Sequence, residues 1–565
     1  MSMSGLFTAA SGLKTSQTGL SVTSHNLANV NTVGYTRQQL LQHDTAYLNV
    51  GTSNGGSFMQ KGIGVSNTEI RQIRDEFADA RYRTENSVLA FYQVQSSTSL
   101  EIEAILDEPY GEALSQVFES FWSQAQKLST NPSGVEERMA FIQSASVMVQ
   151  RINHIQDSLK SYQDNLNSQI INSVNRINEI TADIDNLNTL ISLSEIGGDN
   201  ANDYRDARNV LLDELSGYMD IDYYELADNT VVIKSNNRIL VKQGFVTEIG
   251  LAQTEPMSPY VKPVWADTQA DVFNFTDPDS ASSQVVNSEM GNDQGSLKAL
   301  LLSRGPSAAD EDTTWADVTI DDRYSVDVSG NSYIIPEMQM KLNVLLTEIV
   351  SSINDTLNGE GIGVHEGLVG EPMFVPINSG TVTAPVLPDN PTAADIAAYN
   401  EAMLEYHENI KEYLTIDNIQ VNPALLAEGG YNKLGTVTET GNNGDNSKVQ
   451  DMLESWSSKR MWYAEYDDDG NIVEDPNAPY AKLVNFQDFY AEFVTELGQD
   501  GYEYASRSQE KYDVVNSLAN ERWARSNVSQ DEELSTMMKY QYAYNAASRV
   551  MTIMDGMLDK VINQM

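Results

Sequence analysis

The 565-residue chain predicts a multidomain α+β fold with helical ends, a long helical-bundle stem and a β-rich outer domain carrying insertions. Three observations carry that prediction. Apolar residues recur at seven-residue spacing in the first thirty residues and at alternating three- and four-residue spacing in the last thirty-five. Helical periodicity dominates residues 76–218. Near residue 219 the pattern changes to β-branched runs separated by turn residues.

At the N-terminus Leu6, Leu13, Leu20 and Leu27 form a heptad seam, with Ala9, Ala10 and Val30 on the same side. Gly12 and Gly19 interrupt that helix, each weakening an isolated helix by about 1 kcal/mol relative to alanine. Asn29-Val30-Asn31-Thr32-Val33-Gly34-Tyr35 supplies a turn. A helix this weak with so regular a seam needs a partner. The other end provides one. From Asp531 the chain predicts a single helix to Met565, opened by Asp531, Glu532 and Glu533, whose charges suit a helix N-terminus. Its stripe runs Tyr540, Ala543, Ala547, Val550, Met554, Met557 and Val561, widened by Tyr544, Met551, Leu558 and Ile562. Both helices are expected to pack in an inner assembly layer.

Between the ends, residues 46–66 predict an extended or loop segment. Phe118, Phe121 and Trp122 form an aromatic cluster, and Asn131-Pro132-Ser133 marks a helix stop with Ser133 as the next N-cap. Ile152, Ile155, Leu159, Tyr162 and Leu166, then Ile177, Ile180, Ile184, Leu187 and Ile191, predict long coiled-coil-like packing, with Asn175, Asn178, Asn186 and Asn188 off the stripe. Asn202, Asp203, Asp206 and Arg208 read as a capped surface helix with intrahelical ion pairs. Thr230–Lys234 and Ile239–Val241 read as two strands around a tight turn. Met338, Leu342, Leu345, Ile349 and Ile353 share one helix face. Acidic, polar stretches near 303–335, 385–413 (with a short helix near 393–413) and 457–480 read as insertions, and helices resume at Phe486. The domains expected are 1–45 with 526–565 (terminal), 46–218 with about 336–365 and 481–525 (stem), and 219–335 with 366–480 (outer).

Composition narrows the function. With 35 basic and 81 acidic residues the net charge is −46, which excludes a binder of nucleic acid or anionic membrane. The ends are different. Residues 1–45 hold only Lys14, Arg37 and Asp44, and residues 526–565 hold three basic and five acidic side chains. Nearly neutral ends suit packing against like copies, and an acidic middle suits a solvated exterior. There is no cysteine, so no disulfide or thiolate metal site forms. No apolar run approaches the roughly 18–20 residues that span a bilayer. The N-terminus lacks the basic and apolar regions of a cleavable secretory signal.

Chemical sites are weak. His365-Glu366 and His407-Glu408 begin a zinc-protease motif, but Val369 and Lys411 stand where the second histidine belongs. Gly51 and Gly56 have P-loop spacing, but Ser57 replaces the phosphate-binding lysine. Asp467-Asp468-Asp469-Gly470 resembles a calcium loop, yet Pro476 stands at the closing glutamate position, so an Asp-Gly hairpin turn is expected. No catalytic residue, cofactor or metal ligand is assigned.

The termini carry a resemblance. Asn26-Leu27-Ala28-Asn29-Val30-Asn31-Thr32-Val33-Gly34-Tyr35-Thr36-Arg37-Gln38 resembles the N-terminal signature of bacterial flagellar axial proteins, and its Gly-Tyr-Thr-Arg-Gln continuation resembles the hook-associated protein 1 family. Asp531-Glu532-Glu533, Lys539-Tyr540-Gln541, Ala543-Tyr544, Ala546-Ala547 and Arg549-Val550 are similar to that family's closing helix. Lys61–Val65, Arg74–Phe77, Leu414–Asn418 and Gly444–Asn446 resemble further family stretches. The chain departs from the family at Val33, where proline is usual, and at Ser526-Asn527-Val528, where Ser-Gly-Val is usual. The resemblance implies a structural subunit, not an enzyme, that forms a homo-oligomeric ring joining the distal hook to the filament. It implies as partners the hook protein, the second junction protein (hook-associated protein 3) and an export chaperone at the C-terminal helix. It also implies export to the extracellular flagellum without cleavage. In that reading Leu6, Leu13, Leu20, Leu27, Tyr540, Tyr544, Ala547, Val550, Met554, Leu558 and Val561 form the inner layer, while Asn29, Gly34, Tyr35 and Arg37 set the bend into the stem. Another hook, rod or filament subunit, or an axial protein carrying a secreted hydrolase domain, are the alternatives.

Overall fold

Long amphipathic helices set the architecture, because each must bury one apolar stripe and the longest can do so only against several partners. The computed structural model describes residues 4–564 except 46, 53–57, 107–112, 199, 236–237, 257, 274–292, 310–312, 314–317, 319–331, 359–367, 389, 439–443, 463–464, 467–471 and 474–481. The bulk of the expected insertions at 303–335 and 457–480 therefore lies outside the described residues, as do His365, Glu366, Gly56, Ser57 and the Asp467–Gly470 turn. The strands flanking that turn, β14 (Glu465–Tyr466) and β15 (Ile472–Val473), pair antiparallel.

Helix α1 (Ser4–Ala28) leads into an antiparallel arm in which β1 (Gln38–Asp44) pairs with β4 (Val65–Gln72) and β2 (Tyr47–Thr52) with β3 (Phe58–Gly62). The segment expected to be extended or loop is thus a hairpin. The arm folds back on α1: Thr8 Oγ1 donates to Ile63 O, and the Val65 N–H donates to Ser11 Oγ. Gly64 makes that approach possible, with φ +132° and a hypothetical Cβ only 2.1 Å from Ser11 Oγ.

The stem holds α2 (Glu76–Leu106), α3 (Leu114–Thr130), α4 (Val135–Glu195), α5 (Asn202–Tyr218), α6 (Ser296–Arg304), α7 (Ile334–Asn358) and α11 (Phe486–Ser526). At 1.5 Å per residue, α4 runs about 90 Å. Its expected stripe is inside, with Ile152, Ile155, Leu159, Leu166, Ile177, Ile180, Ile184 and Ile191 all buried. Ser133 does not cap this helix; Gly134 holds the cap position without a side-chain bond, and the buried Arg138 guanidinium ties down the turn by donating to Pro132 O. The aromatic cluster is larger than Phe118, Phe121 and Trp122. Trp456 of α10 (Ser447–Ser457) packs on all three and on Phe486, which opens α11.

The outer part carries small sheets: β5 (Asp222–Glu225), β6 (Val231–Ser235), β7 (Arg238–Lys242) and β8 (Phe245–Val246) in order, then the pairs β9 (Ile249–Gln253) with β10 (Val261–Trp265), β11 (Phe374–Pro376) with β12 (Ile419–Val421), and β13 (Arg460–Trp462) with β16 (Lys482–Val484). Among the described residues 366–456 is largely helix and loop, including α8 (Ala393–Ile410) and the single turn α9 (Pro423–Leu426). The helix expected near 393–413 is α8, started by a capping box between Thr392 and Asp395.

Asparagines join helices to sheets in a repeated way. Asn178 accepts from the N–H and donates to the C=O of Ile249, and Asn188 does the same to Val231. Asn354 treats Phe374 likewise, and Asn26 treats Gln38. Each partner is the first residue of a strand: β9, β6, β11 and β1. A side-chain amide carries the same donor and acceptor as a peptide group, so it replaces the missing neighbouring strand. Asn178 lies half-buried beside the apolar stripe, but Asn188, expected off it, is fully buried on the same face as Ile184 and Ile191; both dock the β-rich region.

Candidate assembly interface

α1 and α12 (Gln530–Gln564) lie antiparallel, and the contact row between them is made of small residues. A Cβ placed on Gly5 would stand 3.0 Å from Met554 Cε, one on Gly12 3.8 Å from Ala547 Cβ, and one on Gly19 2.5 Å from the Tyr540 ring. Asn26 completes the row against Glu533. Each contact is seven residues from the next along both helices. Between them Ala9, Ser16 and Thr23 are buried on the same face. The glycines thus do more than weaken the helix: the missing side chains let the two backbones approach.

This displaces the leucine seam. Leu6, Leu13, Leu20 and Leu27 lie one residue beyond the glycine row and are half-buried. On α12, Tyr540, Tyr544, Ala547 and Met554 are half-buried, while Val550 is 46% and Leu558 39% exposed. Val561 is helical, but its side chain is outside the described set. The expected single stripe is therefore split. One half faces α1, and the other, with Leu534, Met538, Ile553 and Met557, faces away with Phe7 of α1 also exposed.

The stem end of this pair is closed by polar groups. Glu533, 2% exposed, accepts from Asn26 Nδ2 at 3.1 Å and from Arg37 Nε at 2.8 Å. Arg37 also pairs with Glu532 at 3.0 Å, and its backbone N–H donates to Ser526 O. Tyr35 donates its hydroxyl to Asn26 Oδ1 at 2.8 Å, and burial beside Asp203, Asp206 and Glu533 holds that phenol far above its usual range. Gly34 turns the chain with φ +79°, and its missing Cβ leaves room for Val210 Cγ2. Asn29 closes the end of α1 by donating to His25 O. The expected bend residues Asn29, Gly34, Tyr35 and Arg37 do sit together at the bend. Sequence reasoning missed Asn26 and Glu533; the sevenfold series 5, 12, 19, 26 was there to be read.

Asp206 and Arg208 correct the expectation of a surface helix, since both are buried and bond across elements. Asp206 accepts from the Thr36 N–H at 3.0 Å and Gln72 Nε2 at 2.8 Å, and burial pushes its carboxyl up to about 6. Arg208 donates to Asn188 Oδ1 and Asn229 O. Beneath them Asp79 and Asp213 bridge three helices, with Arg522 of α11 reaching both at 2.7 Å and Arg83 of α2 reaching Asp213 at 2.7 Å.

Away from the ends, Asp355, His407 and Glu408 form a group of metal-type donors among the described residues. His407 Nε2 lies 2.9 Å from Asp355 Oδ1, and Lys411 Nζ lies 2.9 Å from that oxygen and 3.0 Å from Glu408. The lysine ammonium occupies the cation position, so the arrangement is an ion-pair latch between α7 and α8.

The three regions match known families in the same order. Residues 99–374 match the helical domain of flagellar hook-associated protein FlgK, residues 523–565 the C-terminal part of flagellar basal body rod FlgEFG protein, and residues 6–36 the flagella basal body rod protein. Flagellar hook-associated protein 1 of Bacillus subtilis is 25% identical over 563 residues, spanning 99% of this chain and 98% of its own. This chain belongs to the hook-associated protein 1 family. The relative of the same name in Salmonella typhimurium is 24% identical over 98% of each chain. The solved flagellar hook junction protein FlgK from Burkholderia pseudomallei shares the fold, with a TM-score of 0.51 at 11% identity over 80% of this chain and 100% of that one. Hook-associated proteins of this family are structural components of the flagellum, an extracellular appendage, and this chain is a flagellar structural protein of the hook–filament junction. Among the described residues no helix is long and apolar enough to cross a membrane.

Proposed function

We propose that the chain forms a closed homo-oligomeric ring at the distal hook end through the outward faces of α1 and α12. One observation carries this reading: a nearly neutral helix pair, on a chain of net charge −46, leaves Phe7 59%, Val550 46% and Ile553 57% exposed. Large apolar side chains on the least charged surface favour burial against like copies. The leucines at 6, 13, 20 and 27, half-buried beside the glycine row, fill the remaining inward space of the ring. Its neighbours are the hook protein on one side and hook-associated protein 3 on the other. Before assembly an export chaperone covers α12, and the chain leaves the cell unfolded, without signal cleavage. It performs no catalysis.

The terminal unit in this reading is residues 1–72 with 526–565, rather than 1–45, because the arm packs on α1. The stem then begins at about residue 73 rather than 46; its other segments and the outer unit keep the boundaries expected from sequence. The test is Val550→Asp in cells, scored by electron microscopy of hook tips. Bare hooks with a folded, exported variant are expected. Normal filaments would remove this face from the assembly surface.

A further inference from the structure

The terminal pair repeats itself every seven residues on both helices, so its small-residue row does not distinguish one register from the next. A displacement of one heptad, about 10 Å, lays Gly12 against Met554 and Gly19 against Ala547, both residues that already meet glycine in the observed register. The fourth contact is different in kind. Glu533 is buried and holds Asn26 and Arg37, while Asn26 uses its remaining capacity on the Tyr35 hydroxyl and on Gln38 N–H and C=O. After the displacement Asn26 would face Tyr540, and the Asn26–Glu533 bond would be gone. Glu533 would keep Arg37 but lose Asn26, and Asn26 would give up Gln38 as well, so buried polar groups would be left unsatisfied, which is unfavourable.

Only one direction is open. Moving α1 toward the stem would set Gly19 against Glu533 and drive the bend into Val210, where Gly34 already has no space for a Cβ. Moving it away extends residues 29–36, a turn of asparagine, threonine and glycine.

We propose that Glu533 is the register-determining residue of the terminal helix pair, and that α1 has a second register one heptad further from the stem which the Asn26–Glu533–Arg37 cluster suppresses. A single buried polar position sets register in coiled coils in the same way. The two registers give the terminal unit two lengths, a useful property where two lattices meet. The proposal concerns contacts within one chain and stands whether or not the ring reading holds.

The chain has no cysteine, so engineered pairs report without background. Gly12→Cys with Ala547→Cys reads the observed register, since the 3.8 Å Cβ separation is that of a disulfide. Gly12→Cys with Met554→Cys reads the displaced one. The full chain is oxidised in dilute solution and the cross-link scored by non-reducing electrophoresis and peptide mass mapping. With Glu533 present the first pair should close and the second stay open. With Glu533→Leu the second pair should rise from trace to the major product. Glu533→Gln, which keeps a bond to Asn26, should stay in the first register. If Glu533→Leu still closes only the first pair, the row sets its own register and the proposal fails. If neither pair closes, Glu533 holds the helices together rather than choosing between registers, and the proposal fails equally.

Discussion

Two antiparallel helix pairs lie one above the other in this molecule, and they are built on opposite principles. In the stem α2 runs beside α11, and α4 beside α3 and α5, around one contiguous buried apolar core. Its polar seams are finished within the chain, as Asp79 and Asp213 show by taking Arg522 and Arg83. In the terminal pair α1 and α12 touch along glycines, and most of the large apolar side chains are left half-buried or outside. A closed core gives a stable monomer. An open one stores its burial for later contacts, at the expense of standing alone poorly.

The largest effect belongs to the stem. Phe121→Ala, which empties a site between Phe141 and Trp456, should lower core stability by about 3–5 kcal/mol in urea unfolding. A shift of under about 1 kcal/mol would show that Trp456 does not organise this region.

The joint between the two regions should respond to pH. Asp206 sits near 6 in the folded chain and in the ordinary carboxylate range when unfolded. Between those values the folded chain binds a proton that the unfolded chain does not. Its contribution to stability therefore grows as pH falls through that window, by at most about 3 kcal/mol. Urea unfolding from pH 7 to 4.5 should show that slope, and Asp206→Asn should flatten it. An equal slope in the variant would assign it to other carboxylates.

Gly19→Val places a side chain inside the Tyr540 ring and should cost the terminal pair roughly 1–3 kcal/mol. Hydrogen exchange should then speed up in α12 and remain slow in α4. Uniform acceleration would mean that the two regions unfold together.

The smallest effect on the monomer, and the sharpest division, comes from two neighbours on α12. Met554→Asp faces Gly5 and should loosen the pair within the chain, whereas Ile553→Asp faces out and should change monomer stability by less than about 0.5 kcal/mol. Circular dichroism at 222 nm during melting would separate them. Equal losses would show that α12 has no free face.

The heptad of leucines was legible and so was its helix, but the role assigned to it moved by one residue. Hydrophobicity marks leucine as the seam, while close backbone approach needs glycine, and only the partner helix decides which of two adjacent rows it meets. Asp206 and Arg208 were read as surface residues for a related reason. Their ion pairs span residues far apart in sequence, and nearest-neighbour spacing cannot anticipate them. The turn at 29–35, the two strands beginning at Val231 and Arg238, and the helix starting at Phe486 were all visible, because each is specified by local backbone chemistry.

The sequence by itself determined where most of the long helices and the strands β6 and β7 run, the acidic middle with nearly neutral ends, and the flagellar resemblance of both termini. These depend on spacing, composition and short motifs, which one chain carries without its fold. Tertiary structure alone decided that Asn26, Asn178, Asn188 and Asn354 each begin a strand by imitating a peptide group, that Glu533 closes the end of a glycine row, and which face of α12 stays open. Those outcomes depend on which residues meet across hundreds of positions, and hydrogen bonds and close packing act only between atoms that the fold has already brought within a few ångströms.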